Sequence, residues 1–464
     1  MTPEPTPPTF LIVGAGLAGS LMATYLGRRG FRVQVFERRE DPRLSGAHEG
    51  GRSINLGLSE RGIRALREIG LLDSLSAHTV PMRGRAIHRP DGELVFQPYG
   101  TSESQILHSI MRRDLNVALI DKAETYPGVH FAFSAKLTSL VKETGVARFC
   151  DERTGAQTQV KADVIVGADG AFSVVRREMQ RGERADYQQE FLDWGYKELT
   201  IPPAADGSPR TQLHALHVWP GRKGLIVAHP NPDNSLTGTL FLPLAGEHGL
   251  ESLNSPEAAR EFFRVHFPDT AGLMPRGPEE FECNPVGTLV SVRTSPWHYE
   301  DRVVLLGDAC HAVYPFYGQG MNSAFEDCSE LDACLQRYPD DWATAFRSYQ
   351  QRRKPHTDVL ADLSKQNFVE LRDHLRSPLH LVMKKTDLAL NRVFPNLWTP
   401  LYTMVSHTTI PYADALARAR RQDALLKWLG AGVLTGTVLS ILSTERGVSL
   451  RRRVAASAAY GHGD

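Results

Sequence analysis

Short apolar runs, each followed by a turn and an amphipathic stretch, set the pattern of the N-terminal part of the chain. Residues 10–13 (FLIV) read as a buried strand, an apolar helical pattern then runs to Leu26, and a second strand follows at Arg32–Phe36. Strands that alternate with helices predict an α/β fold with a parallel sheet. Two later runs, Val164–Gly167 and residues 303–306, end just before Asp-Gly and Gly-Asp pairs. Small-molecule cofactors bind outside the carboxyl ends of such strands.

The turn after the first strand has the sequence Gly14-Ala-Gly16-Leu-Ala-Gly19, and Glu37 closes the second strand 23 residues after Gly14. A Gly-x-Gly-x-x-Gly turn between strand and helix, with an acid at that distance, predicts a Rossmann-like dinucleotide-binding unit. A purely structural glycine turn is the alternative. An acid rather than a basic residue at position 37 indicates an adenosine without a 2′-phosphate, hence FAD or NAD.

Residues 303–328 (VVLLGDACHAVYPFYGQGMNSAFEDC) carry the second ligand-binding pattern. Asp308 follows the buried run and can hold a ribityl or ribose hydroxyl, and the turn 318–320 leads into a helix from Met321. The helix N-terminus at Gly320 offers backbone N–H groups and a positive dipole end. Pro315 and Phe316 would form a rigid apolar wall, so we predict that a flavin ring meets its substrate here.

A change of character marks residues 186–290. Strand-like pieces at 213–218, 224–228 and 235–242 alternate with Pro, Gly and Asn turns, which predicts an antiparallel sheet inserted between two halves of the cofactor domain. One face of this sheet would form a substrate wall, with Phe241 as its candidate residue, although ordinary sheet packing explains Phe241 equally well. Domain boundaries are predicted at 1–185 and 291–372 for the cofactor domain, 186–290 for the insert and 373–464 for a helical region.

Other segments are more ambiguous when read alone. Arg85 and Tyr99 flank the turn of a predicted hairpin near 83–100, where they could converge on one carboxylate or lie solvated at the surface. Gly57 lies in a strand that leads to a helix with Ser59 as N-cap, and its small size suits either a flat ring or core packing. Residues 105–124 have helical spacing, and Asn367 and Glu370 share one helix face.

Composition excludes several classes of function. A net charge of +0 gives no basic field for nucleic acid, and five scattered cysteines without metal-ligand spacing fit a reducing cytosol better than a disulfide framework. Residues 1–10 lack the pattern of a signal peptide. Residues 425–442 are largely apolar, but the uninterrupted part from Trp428 is 15 residues, shorter than the roughly 20 of a spanning helix. We expect a packed or membrane-surface helix there.

The motifs together resemble a known family. GAGLAGS (14–20), Asp169-Gly170 and Gly307-Asp308 resemble the single-component flavin monooxygenases of the aromatic-hydroxylase type. More specific are GRSINLGLSERG (51–62), YGTSESQIL (99–107), DWGYKELTIPP (193–203), PFYGQGMNSAFEDC (315–328) and PLYTMVS (400–406), which look like the kynurenine 3-monooxygenase family over residues 10–420.

This resemblance implies a chemistry and a set of site residues. NADPH reduces FAD, O2 adds at the flavin C4a position, and the hydroperoxide hydroxylates L-kynurenine beside its amine, in tryptophan degradation and NAD biosynthesis. No side-chain acid or base and no metal is expected. The implied substrate contacts fall on Arg85, Tyr99, Asn367 and Tyr402, with Phe241, Phe316 and Glu370 lining the pocket. The implied FAD contacts fall on Ala18, Phe36, Glu37, Arg38, Arg39, Gly57, Arg112, Leu137, Val174, Asp308, Met321 and Asn322, beside the cofactor residues Gly14, Gly16, Gly19, Asp169 and Gly320 inferred above.

The chain also departs from the family pattern. Leu371 and Tyr317 replace residues usual in relatives and alter the pocket's shape, so a substituted kynurenine of secondary metabolism is an alternative substrate. A flavin-binding NADPH oxidase or redox sensor without hydroxylation is the alternative from another class. NADPH has no second Gly-rich unit and is expected to dock transiently. The absence of a long apolar anchor and of a targeting segment indicates a cytoplasmic enzyme, with peripheral membrane contact through the C-terminal helix as an open possibility.

Overall fold

The computed structural model describes residues 7–44, 54–89, 91–221, 223–374, 378–395 and 397–426. The chain separates into two compact units, Met1–Ala413 and Asp414–Asp464. The described part of the second unit, to residue 426, is helical. All but the first two positions of the apolar segment predicted at 425–442 lie outside the described residues.

The strands are, in chain order, β1 (Thr9–Val13), β2 (Arg32–Phe36), β3 (Asn55–Leu58), β4 (Thr79–Met82), β5 (Gly84–His88), β6 (Leu94–Pro98), β7 (Leu107–Met111), β8 (Val129–Ala132), β9 (Lys136–Val141), β10 (Val146–Cys150), β11 (Gln157–Lys161), β12 (Val164–Gly167), β13 (Asp186–Ile201), β14 (Leu216–Trp219), β15 (Leu225–Pro230), β16 (Leu236–Pro243), β17 (Gly287–Ser295), β18 (His298–Tyr299) and β19 (Val303–Leu305).

The α-helices are α1 (Leu17–Arg28), α2 (Glu60–Glu68), α3 (Arg112–Glu124), α4 (Val174–Gln180), α5 (Pro256–His266), α6 (Thr270–Leu273), α7 (Gly277–Cys283), α8 (Asp308–His311), α9 (Gly320–Arg337), α10 (Trp342–Val369), α11 (Pro378–Val393) and α12 (Leu401–His407). Short 3₁₀ turns occupy Asp73–His78 and Pro315–Tyr317, and a π-helical turn occupies Glu370–His374. None of the helices within the described ranges is both long and apolar enough to cross a bilayer.

A six-stranded sheet in the order β18-β19-β12-β1-β2-β8 forms the centre of the cofactor domain. The pairs from β19 to β8 are parallel, as the alternation of strands and helices predicted. The side chains of β1, β12 and β19 are almost all buried, whereas β2 and β8 are only partly buried, and α1 packs on β1 and β2. Strands covered on both faces have continuous apolar runs, as β1, β12 and β19 do. A separate three-stranded sheet, β11-β10-β9, is formed by the residues between β8 and β12.

The inserted sheet is larger than predicted. Its seven strands follow the order β17-β13-β16-β15-β14-β5-β6, so the hairpin β5–β6 from the N-terminal half joins the strands of 186–290, and β17 continues to Ser295. The pairing is antiparallel as predicted, with the exception that β14 and β5 run parallel. The reason is tertiary: β5 arrives from another part of the chain and not through a hairpin with β14. Because one sheet contains strands from both predicted domains, the strands alone do not define the domain boundaries, which stay a prediction.

The helix predicted over 105–124 is wrong at its start. Residues Leu107–Met111 form β7, the central strand of the sheet β3-β7-β4, and the helix α3 begins only at Arg112. Pairing on both sides supplies the backbone hydrogen bonds of this segment, and that tertiary context overrides its local helical spacing.

The seven-stranded sheet separates two apolar layers because its side chains alternate between faces. One face packs Ile226, Leu240 and Leu242 against phenylalanines of α5 and α7. The opposite face, with Val218, Leu225 and Phe241, meets Phe316 and the end of α10. That second face is the one that forms the candidate site.

Candidate active site

The glycine-rich turn between β1 and α1 is shaped to receive a ligand. Gly14 has φ +105°, and a Cβ there would lie 2.4 Å from the carbonyl oxygen of Ala168. A Cβ at Gly19 would lie 1.9 Å from the Gly14 oxygen, so strand and helix are in contact only because both are glycines. Gly16 has no neighbouring atom within 4 Å of such a Cβ, and no side chain caps α1. Open space therefore lies at the positive end of this helix, as pyrophosphate binding requires.

Glu37 is buried next to this turn. Its carboxylate accepts hydrogen bonds from the backbone N–H of Ala15 at 2.9 Å and from the N–H and Nε of Arg39 at 3.0 and 2.8 Å. Burial opposes ionisation, but the hydrogen bonds and charge of Arg39 outweigh it and hold the pKa of Glu37 below its usual value. Glu37 is thus an anion that can accept hydrogen bonds from ribose hydroxyls.

Asp169 has a role inside the protein. Its carboxylate accepts hydrogen bonds from the Ser173 hydroxyl and from the backbone N–H groups of Val174 at 2.7 Å and Val175 at 3.1 Å. These contacts satisfy donors at the start of α4. The structure therefore explains Asp169 as a residue that fixes the helix after β12, and its predicted contact with the cofactor stays a prediction.

Asp308 lies where the flavin was predicted. Its side chain is exposed to the central cavity, desolvation by the surrounding protein raises its pKa, and the positive charge of Arg112 opposes that shift. Asp308 and Arg112 are thus close enough to interact electrostatically, and their predicted contacts with FAD stay a prediction. Asn322, fully buried, donates to the Gly57 carbonyl oxygen at 2.9 Å and accepts from the Ser59 N–H at 2.9 Å, which fixes β3 against the N-terminus of α9.

Gly57 leaves room for a flat ring on this strand. An added Cβ would meet only the ends of Leu107 and Met82, at 3.9 and 4.0 Å, and Gly57 itself lines the cavity. The N-terminus of α9 has no side-chain cap. The remaining predicted FAD residues are distributed around the same domain: Phe36 stacks on Phe149, Leu137 is buried, Ala18 and Met321 are half-buried and Arg38 is exposed. The open Gly16 turn, the Glu37 anion and Asp308 together fit FAD.

The central cavity has a volume of about 310 Å³. One wall is the face of the seven-stranded sheet, and the other consists of β3, the start of α8 and the turn 312–318. Its lining is mainly apolar with a few polar groups, which is the composition of small-molecule sites. The polar side chains among its lining residues include Asn55, Arg85, Tyr196, His229, Thr239, Thr288, Asp308, Tyr317 and Tyr402.

Arg85 lines this cavity, and Tyr99 is buried next to it, behind the ring of Tyr402, so that the three side chains form a cationic corner. The exposed fractions of Arg85 and Tyr99 are 8% and 5%, and the Arg85 guanidinium lies 4.6 Å from the centre of the Tyr402 ring. Tyr99 stacks on Tyr402 with the ring centres 5.5 Å apart, and Tyr317 stacks on the same ring at 5.7 Å. Within the part of the chain that the structure describes, the Arg85 Nε and the Tyr99 hydroxyl have no hydrogen-bond partner.

These unpartnered groups define the chemistry of the corner. Leaving the Arg85 Nε and the Tyr99 hydroxyl buried without hydrogen bonds is costly, so a ligand anion is the natural complement. Burial raises the pKa of Tyr99 and of Tyr317 well above the usual value, so both phenols stay protonated and act as donors. A forked guanidinium with adjacent phenols suits a carboxylate.

The apolar part of the cavity is formed by aromatic rings. Phe241 and Phe316 both line it, with their ring centres 5.0 Å apart, and Phe316 packs on Phe368 at 4.5 Å. The Asn367 amide donates to the Phe316 carbonyl oxygen at 2.7 Å and so holds this turn in place. Glu370 forms an ion pair with Lys384 at 3.2 Å, and it is the next residue, Leu371, that lines the cavity.

Sequence reasoning did not single out several lining residues of the sheet. Leu216, Val218, Val227, His229 and Tyr196 all face the cavity. The alternation of apolar and polar positions in β14 and β15 marks two faces, but it does not tell which face meets the cofactor domain. Tyr317 and Leu371, noted in the sequence only as departures from a family pattern, are both lining residues.

One further cluster, Cys310, His311 and Asp327, has the geometry of a metal site within the described residues. Its carboxylate is already used: Asp327 accepts from Arg353 Nε at 2.7 Å and pairs with His311. All three members are buried, and Arg353 pairs with both Asp327 and Glu326. We therefore interpret this cluster as an ion-pair network that joins α8, α9 and α10.

Comparisons with known proteins show the family to which the chain belongs. The family model described as "FAD binding domain" matches residues 8–364. A kynurenine 3-monooxygenase of Salinispora arenicola is 55% identical over 445 residues, which are 96% of this chain and 98% of that relative. A kynurenine 3-monooxygenase of Flavobacterium johnsoniae is 41% identical over 90% of this chain and 92% of its own length.

Solved structures show the same fold at lower identity. The tetrameric form of 2-methyl-3-hydroxypyridine-5-carboxylic acid oxygenase is similar with a TM-score of 0.65 and 20% identity, covering 82% of this chain and 96% of that one. At that identity the similarity concerns the fold alone.

Proposed function

The chain belongs to the kynurenine 3-monooxygenase family of FAD-dependent oxidoreductases, and from that premise we propose that it hydroxylates L-kynurenine to 3-hydroxy-L-kynurenine with NADPH and O2. One observation carries the choice of substrate. The buried Arg85, whose Nε is unpartnered, lines a cavity whose other wall contains Gly57 and Asp308, and Tyr99, whose hydroxyl is unpartnered, stacks on the adjacent Tyr402. An aromatic amino acid has a carboxylate that can bind at Arg85 and Tyr99 and a ring that can extend toward the wall with Gly57 and Asp308.

The chain's own residues bind and orient the substrate. Arg85 and the phenol of Tyr99 donate hydrogen bonds to the carboxylate, and Tyr402 holds the guanidinium in place through its ring. With the carboxylate fixed, the aromatic end extends along the apolar wall of Phe241 and Phe316. Fixing both ends of the substrate supplies the orientation on which the reaction depends.

FAD would be held by the Gly14–Gly19 turn, Glu37, Asp308 and the start of α9, and when bound and reduced by NADPH it supplies the activated oxygen. An amino-substituted ring is already electron-rich, so the protein need not provide a strong base. Its task is to exclude water from the cavity, and the aromatic rings around Phe316 and Phe368 do this. The assignments of Asn367 and Glu370 as substrate contacts belong to this proposal, with Asn367 acting through the Phe316 turn.

A cytoplasmic location is also part of the proposal, and it rests on the odd, scattered set of five cysteines. Peripheral membrane contact of the C-terminal segment is kept as an alternative.

The test is a coupled turnover experiment. Purified holoenzyme is assayed for NADPH oxidation with and without L-kynurenine, and the product is identified by mass. We expect kynurenine to accelerate NADPH oxidation and to yield 3-hydroxykynurenine. NADPH oxidation that gives only peroxide, whatever aromatic amino acid is supplied, would refute the proposal in favour of an oxidase. Preferential turnover of a ring-methylated kynurenine would instead favour a secondary-metabolism substrate.

A further inference from the structure

His229, near the end of β15, is a titratable side chain of the central cavity that the proposed function has not used. It is half-buried and lines the cavity together with Leu216, Val218 and Val227. Its neighbours on the cavity face of β14 and β15 are aliphatic. An imidazole between aliphatic neighbours on these two strands is therefore a feature that requires a reason.

The strand register relates His229 to the carboxylate site. Leu216 on β14 lies beside Arg85 on β5, and His217 is paired with Ala228 on β15. Extending this antiparallel register by one residue sets Leu216 opposite His229. Arg85, Leu216 and His229 thus form one row on the cavity face, and two strand spacings separate Arg85 from His229 by about 10 Å. A substrate held at Arg85 that lies over Leu216 directs its aromatic end toward His229.

The imidazole of His229 is neutral at neutral pH and available to a ligand. Burial lowers the pKa of His229 to about 4, and no hydrogen bond or charge of the described residues contributes to that shift. A neutral imidazole has one donor nitrogen and one acceptor nitrogen. Its polar atoms therefore have capacity that the rest of the described protein does not use.

We propose that His229 is a specificity-determining residue that accepts a hydrogen bond from the ring amine of the bound substrate. This inference rests on the proposed function and deepens it. One N–H of an ortho-amino ketone bonds to the substrate's own carbonyl oxygen, and the second needs an acceptor because a buried unpaired donor is costly. His229 supplies that acceptor and selects aromatic amino acids with an amine beside the acyl chain.

The experiment compares two ligands on three variants of the holoenzyme. Binding of L-kynurenine and of its analogue with hydrogen in place of the ring amine is measured by calorimetry. The variants are His229→Leu, which removes the acceptor, His229→Gln, which keeps one, and His214→Leu, a matched control on an exposed histidine. We expect His229→Leu to weaken kynurenine binding about 5- to 150-fold, the range for loss of a partner by a buried donor, and to change binding of the analogue less than about twofold. His229→Gln should recover part of the preference, and His214→Leu should match the wild type.

Other outcomes overturn the inference. Equal weakening of both ligands by His229→Leu would mean that the residue only shapes the cavity, and unchanged binding of both would mean that it does not contact the ligand. An additional variant, Thr239→Val, tests the neighbouring hydroxyl: loss of the preference in this variant but not in His229→Leu would assign the contact to Thr239. Wild-type holoenzyme that binds neither ligand would refute the proposed function and this inference together, whereas wild-type binding without an effect of His229→Leu refutes only the role of His229.

Discussion

Replacement of Arg85 by alanine is the perturbation with the largest expected effect on substrate binding. The guanidinium is 8% exposed, lies 4.6 Å from the centre of the Tyr402 ring and has an Nε without a partner among the described residues. Bulk water does not screen a pair formed in such a place as it screens a surface ion pair. The substrate carboxylate would therefore lose its main partner at a site where water replaces it poorly.

The magnitude follows from this burial. Truncating one partner of a buried, hydrogen-bonded charge pair costs about 2–5 kcal/mol, which is a loss of affinity of roughly 30-fold to several thousand-fold. Part of that cost is the desolvated carboxylate left unpaired. Arg85→Lys should fall between wild type and Arg85→Ala, because an ammonium keeps the charge but cannot form the two parallel hydrogen bonds of a guanidinium.

The assay is calorimetric titration of oxidised holoenzyme with L-kynurenine at fixed pH and salt. Arg83→Ala is the matched control, since Arg83 is exposed two residues away on the same segment. The decarboxylated analogue of kynurenine completes a double-mutant cycle: it should bind wild type weakly and lose little more affinity in Arg85→Ala. FAD content should be unchanged in every variant.

If Arg85→Ala bound kynurenine within about threefold of the wild-type affinity, the reasoning would be refuted, because truncating one partner of a buried charge pair should cost more affinity than that. An equal loss of the acid and of its decarboxylated analogue would also refute it, since the arginine would then act on the cavity's shape and not on the carboxylate.

Three further predictions concern the cofactor site and stability. Glu37→Gln should weaken FAD binding about 10- to 100-fold, the cost of a charged hydrogen-bond partner, and FAD retained at wild-type stoichiometry after gel filtration would contradict this. Gly16→Ala should leave the apoprotein's thermal midpoint unchanged and weaken FAD binding, whereas Gly19→Ala should destabilise the apoprotein by at least about 2 kcal/mol, because its Cβ would lie 1.9 Å from the Gly14 oxygen. Burial lowers the pKa of His217 from 6.5 to about 4, so between these pH values the unfolded chain binds a proton that the folded chain does not. The free energy of unfolding, measured in urea, should therefore fall by up to about 3 kcal/mol as the pH is lowered from about 6.5 to about 4. An identical fall in His217→Gln would argue against His217 as the source.

The dinucleotide turn could be predicted from the sequence because its signals are local. The glycines at 14, 16 and 19 and the acid at Glu37 stand at fixed spacing around a strand and a helix, and their conformations follow from that spacing. The same holds for the turn 315–320, where the proline, the glycines and the following helical pattern are neighbours in the chain. The FAD domain and its family were accordingly recovered.

The substrate corner depends on long-range packing that local patterns do not encode. Tyr402 meets Arg85 and Tyr99 from α12, and only the family resemblance connected these residues in the sequence. The predicted hairpin gave Arg85 the right local structure, but the parallel pairing of β5 with β14 decides which face it presents. That same pairing places His229 in line with Arg85, so no alternation within β15 alone could have identified it.

Two segments show what a local sequence pattern leaves out. Residues 107–111 have helical spacing and yet form the central strand β7, because neighbours on both sides satisfy their backbone groups. Asp169 stands after a buried strand, as a cofactor ligand would, and its oxygens also accept hydrogen bonds from the start of α4, which the strand pattern does not show. Its predicted contact with the cofactor stays a prediction.

The most direct measurement follows the oxygen atom. Wild-type holoenzyme is supplied with NADPH, L-kynurenine and ¹⁸O₂, and the product is analysed by mass spectrometry with fragmentation of the aromatic ring. We predict 3-hydroxykynurenine that carries one ¹⁸O atom on the ring carbon beside the amine. Recovery of unmodified kynurenine with all reducing equivalents converted to peroxide, or of a product labelled elsewhere, would contradict hydroxylation of an amino-substituted ring in this cavity.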